Sequence, residues 1–394
     1  MNPPVHISLM TGGKDKHYAT GLAAALLAAG ATFDFTGSNE VDAPELHGDP
    51  RVHFYNLRGD QSVDASLPKK AARVLVYYWR LARYAATAQP KVLHILWNNK
   101  FEFFDRTLLM LYYRALGKRL VLTAHNINAG ERDAADSYFN RLTLKIQYRL
   151  CAHIFVHTQK MKEELLADYG VKAERVSVIP LGFYSSVPNT ALTPAEAKQK
   201  LGLRPDEKAI LFFGNIAPYK GVEYLVTAFT ELARRDPAYR LIIAGRPKGP
   251  PEYWRQLKRQ IAESGAADRV LQHIEYIADD EIEAYFKAGD VLVQPYTHIF
   301  QSGVLILGFS FGIPVIAADV GSLKEDVIEG KTGLIFEPRN ATALELAVEN
   351  FFAGDLYRNR ERTRREIRAH AGENYSWSKV ARITTDVYSR LLRK

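Results

Sequence analysis

Lys220 stands five residues beyond Gly214-Asn215, which close an apolar run, and Gly221 follows it at the start of a helical pattern. A lysine so placed sets a positive charge beside backbone N–H donors, which suits a diphosphate leaving group. Arg246 follows Gly245 at the end of the next apolar run and puts a second cation at the same rim. Gln301-Ser302-Gly303 opens an apolar helical stretch, with Ser302 suited to cap it and free N–H groups suited to an anion. Earlier in the chain, Gly12-Gly13 lie between an apolar run and an alanine-rich helical pattern, where backbone can approach a ligand closely. Their spacing is not the G-x-G-x-x-G of dinucleotide enzymes. His125-Asn126 end another run, and an imidazole there can exchange a proton or hydrogen-bond a sugar hydroxyl. Plainer readings stand beside these: an exposed turn lysine, a surface arginine, a simple cap, an ordinary turn, and a histidine that ties its own loop.

The elements that must position these residues are short runs rich in Val, Ile and Leu, alternating with helical patterns along nearly the whole chain. That rhythm predicts doubly wound parallel sheets. Strands are expected at 6–9, 32–35, 53–56, 92–96, 120–123, 154–156 and 177–179, then at 209–213, 240–244, 270–274, 291–293, 315–317 and 333–336. Between the two sets, SSVPNTALTPAEAKQKLGLRPDEKA is polar, holds three prolines and reads as an interdomain linker. The final stretch, SWSKVARITTDVYSRLLRK, is an amphipathic helix with Val380, Ile383, Val387 and Leu391 on one side. The architecture implied is α/β: two Rossmann-like domains, each a doubly wound parallel sheet, facing a central cleft at the carboxyl ends of their strands.

With 394 residues, 47% of them hydrophobic and 24% charged, two soluble globular domains are expected. The single cysteine, Cys151, cannot form an intramolecular disulfide, the N-terminus lacks the pattern of a secretory signal, and no apolar run is long enough to span a bilayer. A cytoplasmic location is therefore expected. The net charge of +8 is uneven: between Ala65 and Arg119 eleven Lys and Arg face two acids. Lys69, Arg73, Arg80 and Arg83 are read as one helical face beside Tyr77, Tyr78, Trp79 and Tyr84, and a second aromatic run, FEFFDRTLLMLYYRALGKR, follows. Basic aromatic helices suit an anionic membrane surface, so 67–119 is the candidate contact; a solvated basic side on an ordinary helix is the alternative. No recognition motif supports a nucleic-acid face.

The succession GNIAPYKG, LIIAG, HIEYIADDEIEAYFKAGDVLVQPY and FGIPVIAADVGSLKEDVIEGKTGL resembles the C-terminal domain of the family 4 retaining glycosyltransferases of the GT-B fold. HISLMTGG, VLHILW, LVLTAHN and IFVHTQKMKEELLADYGVKAERVSVIPLG are similar to the first half of such enzymes. The resemblance implies an acceptor-binding domain over 1–184, rejoined by a helix at 377–394, and a donor-binding domain over 206–376. It implies transfer of a sugar from a nucleoside diphosphate sugar to a glycan or lipid-linked acceptor, with retention, in cell-surface polysaccharide or glycolipid synthesis. No cofactor or metal is expected, and no D-x-D triplet occurs. By the same resemblance Lys220 is the phosphate lysine, Gly12-Gly13 face the diphosphate, His125 contacts the donor sugar, and Tyr276 and Ile277 hold the nucleobase through their backbone.

Three family features are missing. The arginine that partners the lysine aligns with Asn215, and the glutamates of the Glu-x7-Glu pattern, which usually hold a donor sugar hydroxyl and the ribose hydroxyls, align with Ile299 and Leu307. Arg246, Gln301, Ser302 and Gly303 are the expected replacements, and this Q-S-G arrangement is similar to that of bacterial family members. The motifs offer no carboxylate placed as a nucleophile, so same-face attack by the acceptor is expected. Competing expectations are a sugar-nucleotide-binding or scaffolding protein without transfer, and an epimerase or phosphorylase on the same fold.

Overall fold

A computed structural model of the chain describes residues 5–13, 15–61, 66–99, 101–128, 130, 136–182 and 187–393. It divides into two compact units, Met1–Gly182 with Ser376–Lys394, and Phe183–Tyr375. In the first unit β1 (His6–Met10), β2 (Thr32–Gly37), β3 (Val52–Asn56), β4 (Val92–Ile95), β5 (Arg119–Thr123), β6 (His153–Val156) and β7 (Val176–Val178) form one parallel sheet of order β3-β2-β1-β4-β5-β6-β7. In the second, β8 (Lys208–Phe213), β9 (Tyr239–Ala244), β10 (Val270–His273), β11 (Val291–Gln294), β12 (Val315–Ala318) and β13 (Gly333–Phe336) form a parallel sheet of order β10-β9-β8-β11-β12-β13. Helices cover both faces of such sheets, and the central strands are accordingly buried and apolar.

Strand order reverses once in each sheet, between β1 and β4 and between β8 and β11. Loops at the carboxyl ends of strands diverge at such a switch point and leave a crevice in which ligands of this fold class bind. Gly12 follows β1 and Trp97 follows β4; Gly214 follows β8 and Pro295 follows β11. The loops that hold Gly12-Gly13, Lys220 and Gln301-Ser302-Gly303 therefore begin at the two switch points, while His125, Arg246 and Tyr276 follow β5, β9 and β10.

Within the first unit, the closing helix Trp377–Arg393 packs on the helix Lys16–Ala28. The Trp377 indole fills the space above two glycines, since a Cβ on Gly21 or Gly182 would fall 2.4 or 2.2 Å from it. Tyr388 of the same helix meets Nδ1 of the buried His94 at 2.5 Å, and His94 Nε2 meets the Thr123 hydroxyl at 2.8 Å. The basic segment needs correction. In the helix Leu67–Thr87, Tyr77, Leu81, Tyr84 and Ala85 form the buried stripe that a 3.6-residue period dictates. Tyr77 and Tyr84 are thus core residues, while Lys69, Arg80 and Arg83 are exposed with Leu75 and Trp79. Arg73 pairs with Asp60 at 2.8 Å, Arg106 is buried, Lys118 donates to the carbonyls of Ala88 and Pro90, and Lys100 lies outside the described residues.

Within the second unit, the passage read as a linker holds the helix Pro194–Lys200, opened by a capping box between Thr193 and Glu196. Lys198 is buried, donates to the Glu207 carbonyl at 2.6 Å and pairs with Asp290 at 2.8 Å. The helix packs on the helix Ile282–Ala288, so this passage is folded onto the second sheet. Seven residues are too few to show an apolar period, and the only sequence signal of the helix is its Thr193-to-Glu196 capping pattern.

Candidate functional site

In the first unit Gly12 and Gly13 turn with φ of 60° and 67°, the left-handed region in which a side chain is strained. Thr11 holds the turn, donating to the Thr36 carbonyl at 2.8 Å and accepting from the Gly13 N–H at 3.0 Å. Asp15 then caps the helix Lys16–Ala28 by accepting from the Tyr18 N–H at 3.1 Å, so a carboxylate already meets the positive end of that helix. The cation at this turn is Arg58, whose guanidinium donates to the Gly12 carbonyl; a Cβ on Gly13 would come within 2.9 Å of its side chain.

His125 lies two residues past β5. The register pairs Thr123 with Phe155, and carrying it two residues further sets His125 opposite His157. The two rings meet, with His125 Nδ1 3.0 Å from His157 Nε2. The His125 ring is stacked on Trp97 at 4.5 Å and 3°, and the edge of Tyr18 closes on it at 4.7 Å. Burial holds both imidazoles below their usual range, His157 at about 4, so both are neutral at pH 7. His125 Nε2 is shielded from water and has no hydrogen-bond partner among the described residues. His125 and Asn126 border a cavity of about 140 Å³ whose wall includes Asn98, Arg106, Thr123 and Gln147.

In the second unit Lys220 ends a 3₁₀ turn, Pro218–Lys220, and Gly221 opens the helix Val222–Arg235 with φ of 61° and no side-chain cap. A Cβ on Gly221 would fall 2.1 Å from the Pro295 carbonyl, and the Thr297 N–H donates to the Tyr219 carbonyl at 2.9 Å. The loops after β8 and β11 are thereby held together. Lys220 is 6% exposed; its ammonium donates to the Tyr296 hydroxyl at 2.6 Å and lies 3.8 Å from the centre of that ring. Ser302 is buried, caps the helix Gly303–Phe311 through the Leu305 N–H, and hydrogen-bonds Tyr296. Lys220 and the Gln301-Ser302-Gly303 helix start therefore meet through one phenol. Gln301 and Gly303 are half-buried beside it.

Gly214 and Gly245 adopt φ of 107° and 143°, and a Cβ on Gly245 would fall 1.9 Å from the Gly214 carbonyl, so only glycine lets these two strand ends approach. Asn215 is half-buried between them and Ile216, whose N–H donates to the Arg246 carbonyl at 2.9 Å. Arg246 is exposed and lies 5.7 Å over the ring of Tyr276, itself 64% exposed. The structure thus pairs Arg246 with Tyr276 and Lys220 with Tyr296. Ile277 is buried. Ile299 and Leu307, where the resemblance places glutamates, are buried apolar residues.

Four residues near these groups are not singled out by sequence reasoning: Arg58, His157, Tyr296 and Gln294. Gln294 ends β11 at the switch point, is 1% exposed, and neither atom of its amide has a partner among the described residues. Leaving such a group unpaired costs about 1 to 3 kcal/mol. Only the strand order brings these residues to the site, and no spacing within one segment signals them.

Residues 194–370 match the family described as Glycosyl transferases group 1, and residues 16–185 match Glycosyltransferase Family 4. The chain is similar to the D-inositol 3-phosphate glycosyltransferase of Nocardia farcinica, with 32% identity over 291 residues, 69% of this chain and 61% of that one. It spans 57% to 65% of the length of comparable relatives from Paenarthrobacter aurescens and Corynebacterium efficiens. Among solved structures it is similar to sucrose-phosphate synthase from Thermosynechococcus elongatus, at a TM-score of 0.77 and 20% identity over 99% of this chain and 100% of the other. The Anabaena protein Alr3699/HepE, in complex with UDP-glucose, matches with a TM-score of 0.74 and 18% identity over 98% and 99% of the two chains.

Proposed function

The chain belongs to the family 4 glycosyltransferases and has their GT-B fold, and on that premise we propose that it moves a hexose from a nucleoside diphosphate sugar to a glycan or lipid-linked acceptor with retention of configuration. The observation that carries this reading is the group at the β8/β11 switch point: the Lys220 ammonium, the Tyr296 and Ser302 hydroxyls and the start of the Gly303–Phe311 helix. These are donors, and a departing diphosphate is an acceptor of spread negative charge. The bond between the anomeric carbon and the diphosphate oxygen breaks, the acceptor oxygen bonds to that carbon from the same face, and the acceptor proton passes to the leaving phosphate. The second unit binds the nucleotide sugar, the first unit binds the acceptor, and protein cations do the work of a metal. HepE, a structural neighbour, is described with UDP-glucose, which makes UDP-sugars the first donors to test.

The test is a panel of UDP-, GDP- and ADP-sugars scored for binding and turnover with glycan and lipid-linked acceptors. Donor-dependent glycoside formation is expected. Binding without transfer to any acceptor would favour a sugar-nucleotide-binding protein, the reading that the apolar Ile299 and Leu307 support; no binding at all would remove both.

We assign the acceptor a membrane location. In the first unit Leu75 (70% exposed) and Trp79 (61%) point to solvent from the Leu67–Thr87 helix, with Arg83 5.5 Å from the Trp79 ring. The neighbouring helical stretch 102–115 exposes Phe103, Leu108 and Leu111, and the helix Tyr138–Leu150 adds Tyr138 and Phe139. Tyr78 stacks on Phe101, and Arg106 donates to Asn140 at 2.8 Å, so the three elements adjoin. Among the described residues no helix is long and apolar enough to cross a membrane. The protein is expected to bind vesicles containing anionic lipid, at the cytoplasmic face in the cell. A variant with Leu75, Trp79, Leu108 and Leu111 changed to Asn should stay in the supernatant on sedimentation, and undiminished binding by that variant would refute the assignment.

A further inference from the structure

We propose that His6, Asp34 and His53 form a binding site for a divalent transition-metal ion of the Zn²⁺ class, at the end of the first unit's sheet opposite its ligand loops.

Strand register builds the site. His6 pairs with Thr32 and Ser8 with Asp34, and Asp34 pairs in turn with His53 on the edge strand β3. Side chains two apart on a strand share a face. His6, Ser8, Asp34 and His53 therefore lie on one face, the face on which Tyr84 of the helix Leu67–Thr87 reaches Ser8 and Asp34. His6 Nε2 is 3.3 Å and His53 Nδ1 3.2 Å from the same oxygen, Asp34 Oδ1. All three ligand atoms lie within 4.8 Å of one another, and among the described residues no other three His, Cys, Asp or Glu side chains converge so closely.

The distances favour an ion over ordinary hydrogen bonds. An N–H given to oxygen most often closes to about 2.9 Å. Both contacts here are longer, and both match the separation of about 3.3 Å between two ligands of a tetrahedral ion bonded at about 2.0 Å. The carboxylate is also oriented for the task, because the buried Tyr84 donates to Asp34 Oδ2 at 2.7 Å and hydrogen-bonds the Ser8 hydroxyl at 2.8 Å. An outer partner of this kind fixes a ligating carboxylate. Here it leaves Oδ1 to the two imidazoles. The site is open as well: the side chains of His6 and His53 are 31% and 51% exposed beside a carboxylate that is 5% exposed. An ion can enter from solvent, a turn of the half-exposed His53 ring shortens the remaining edge, and water completes the shell.

Two imidazoles and one carboxylate suit Zn²⁺, Co²⁺ or Ni²⁺, whereas Mg²⁺ and Ca²⁺ take oxygen ligands. Bound there, the ion clamps the edge strand β3 to β2 and β1. Gly12-Gly13 follow the other end of β1, so the ion takes no part in glycosyl transfer and the inference stands apart from that reading.

The experiment uses the full chain without an affinity tag, stripped by chelator and titrated with ZnSO₄ in a calorimeter, with Co²⁺ as a spectroscopic probe. One equivalent of Zn²⁺ should bind with micromolar affinity or better and raise the melting temperature by several degrees. Co²⁺ should show the visible bands of a low-coordinate nitrogen and oxygen site. His6→Gln and His53→Gln, both at solvent-accessible positions, should each weaken binding by about a hundredfold or more, and Tyr84→Phe by roughly tenfold to a hundredfold. Should Tyr84→Phe fail to fold, the two histidine variants still decide. Absence of Zn²⁺ binding to the wild type would overturn the proposal and leave Asp34 as a hydrogen-bond acceptor alone. Undiminished binding in either histidine variant would place the ion elsewhere and overturn it too, as would equal affinity for Mg²⁺.

Discussion

Lys220→Met should lower kcat/KM for transfer by about a thousandfold while leaving the protein folded. A unit charge about 4 Å from another is worth roughly 4 kcal/mol at an effective dielectric of about 20, and about 1.4 kcal/mol is a factor of ten in rate. The interaction counts in full because charge on the diphosphate grows as the glycosidic bond breaks, so the loss should fall mainly on kcat. Stability changes little by comparison. Methionine retains the aliphatic stem among buried neighbours, and what is lost includes the hydrogen bond to Tyr296, worth about 1 kcal/mol, and the contact of the ammonium with that ring, worth about 0.5 to 2 kcal/mol, together several degrees in melting temperature. Steady-state kinetics beside a thermal melt separates the two. A variant that keeps its rate would show that the diphosphate is stabilised elsewhere, with Arg246 the next cation to test.

Leu307→Glu should cost roughly ten degrees of melting temperature or more, with no gain in donor binding. The substitution restores one glutamate of the pattern that the family resemblance calls for. In this chain Leu307 is 5% exposed on the Gly303–Phe311 helix, and its neighbours along that helix, Leu305, Ile306 and Phe309, are buried as well. An unpaired carboxylate in such a place costs several kcal/mol, whether it stays ionised or takes up a proton. Its companion position is tighter still: a Cβ on Gly321 would lie 1.7 Å from the Ile299 carbonyl, so the loop there has closed around an apolar residue. Differential scanning fluorimetry and donor titration of Leu307→Glu give the answer. A stable variant that binds donors more tightly would mean that this position faces the ligand as in other family members, and the reading of an altered site would fall.

Much of this was legible in the sequence, for reasons of burial. A strand of a doubly covered parallel sheet is apolar on both faces, so each strand of the two sheets reads as a short Val, Ile and Leu run, with ends displaced by a residue or two. Ser302 at a helix start and Gly221 before another were visible because caps and left-handed turns demand particular residue types. The helix Pro194–Lys200 was not, although Thr193 and Glu196 carry the capping-box pattern, since it has no apolar period and is anchored by the Lys198–Asp290 pair, formed across 92 residues. Tyr77 and Tyr84 were grouped with the cations because aromatics and cations are crowded in this helix; with Leu81 and Ala85 they fall on the buried stripe of a 3.6-residue period. His157 meets His125 through strand register, and Tyr296 meets Lys220 through loop contact. Neither quantity is written in local spacing.

The central claim is retaining transfer from a nucleoside diphosphate sugar, and proton NMR of the product formed from whichever donor turns over tests it most directly. The account predicts an acceptor-linked sugar whose anomeric coupling and configuration match those of the donor, appearing together with free nucleoside diphosphate. A product of inverted configuration, or a donor panel that binds and yields no glycoside with any acceptor, would contradict it.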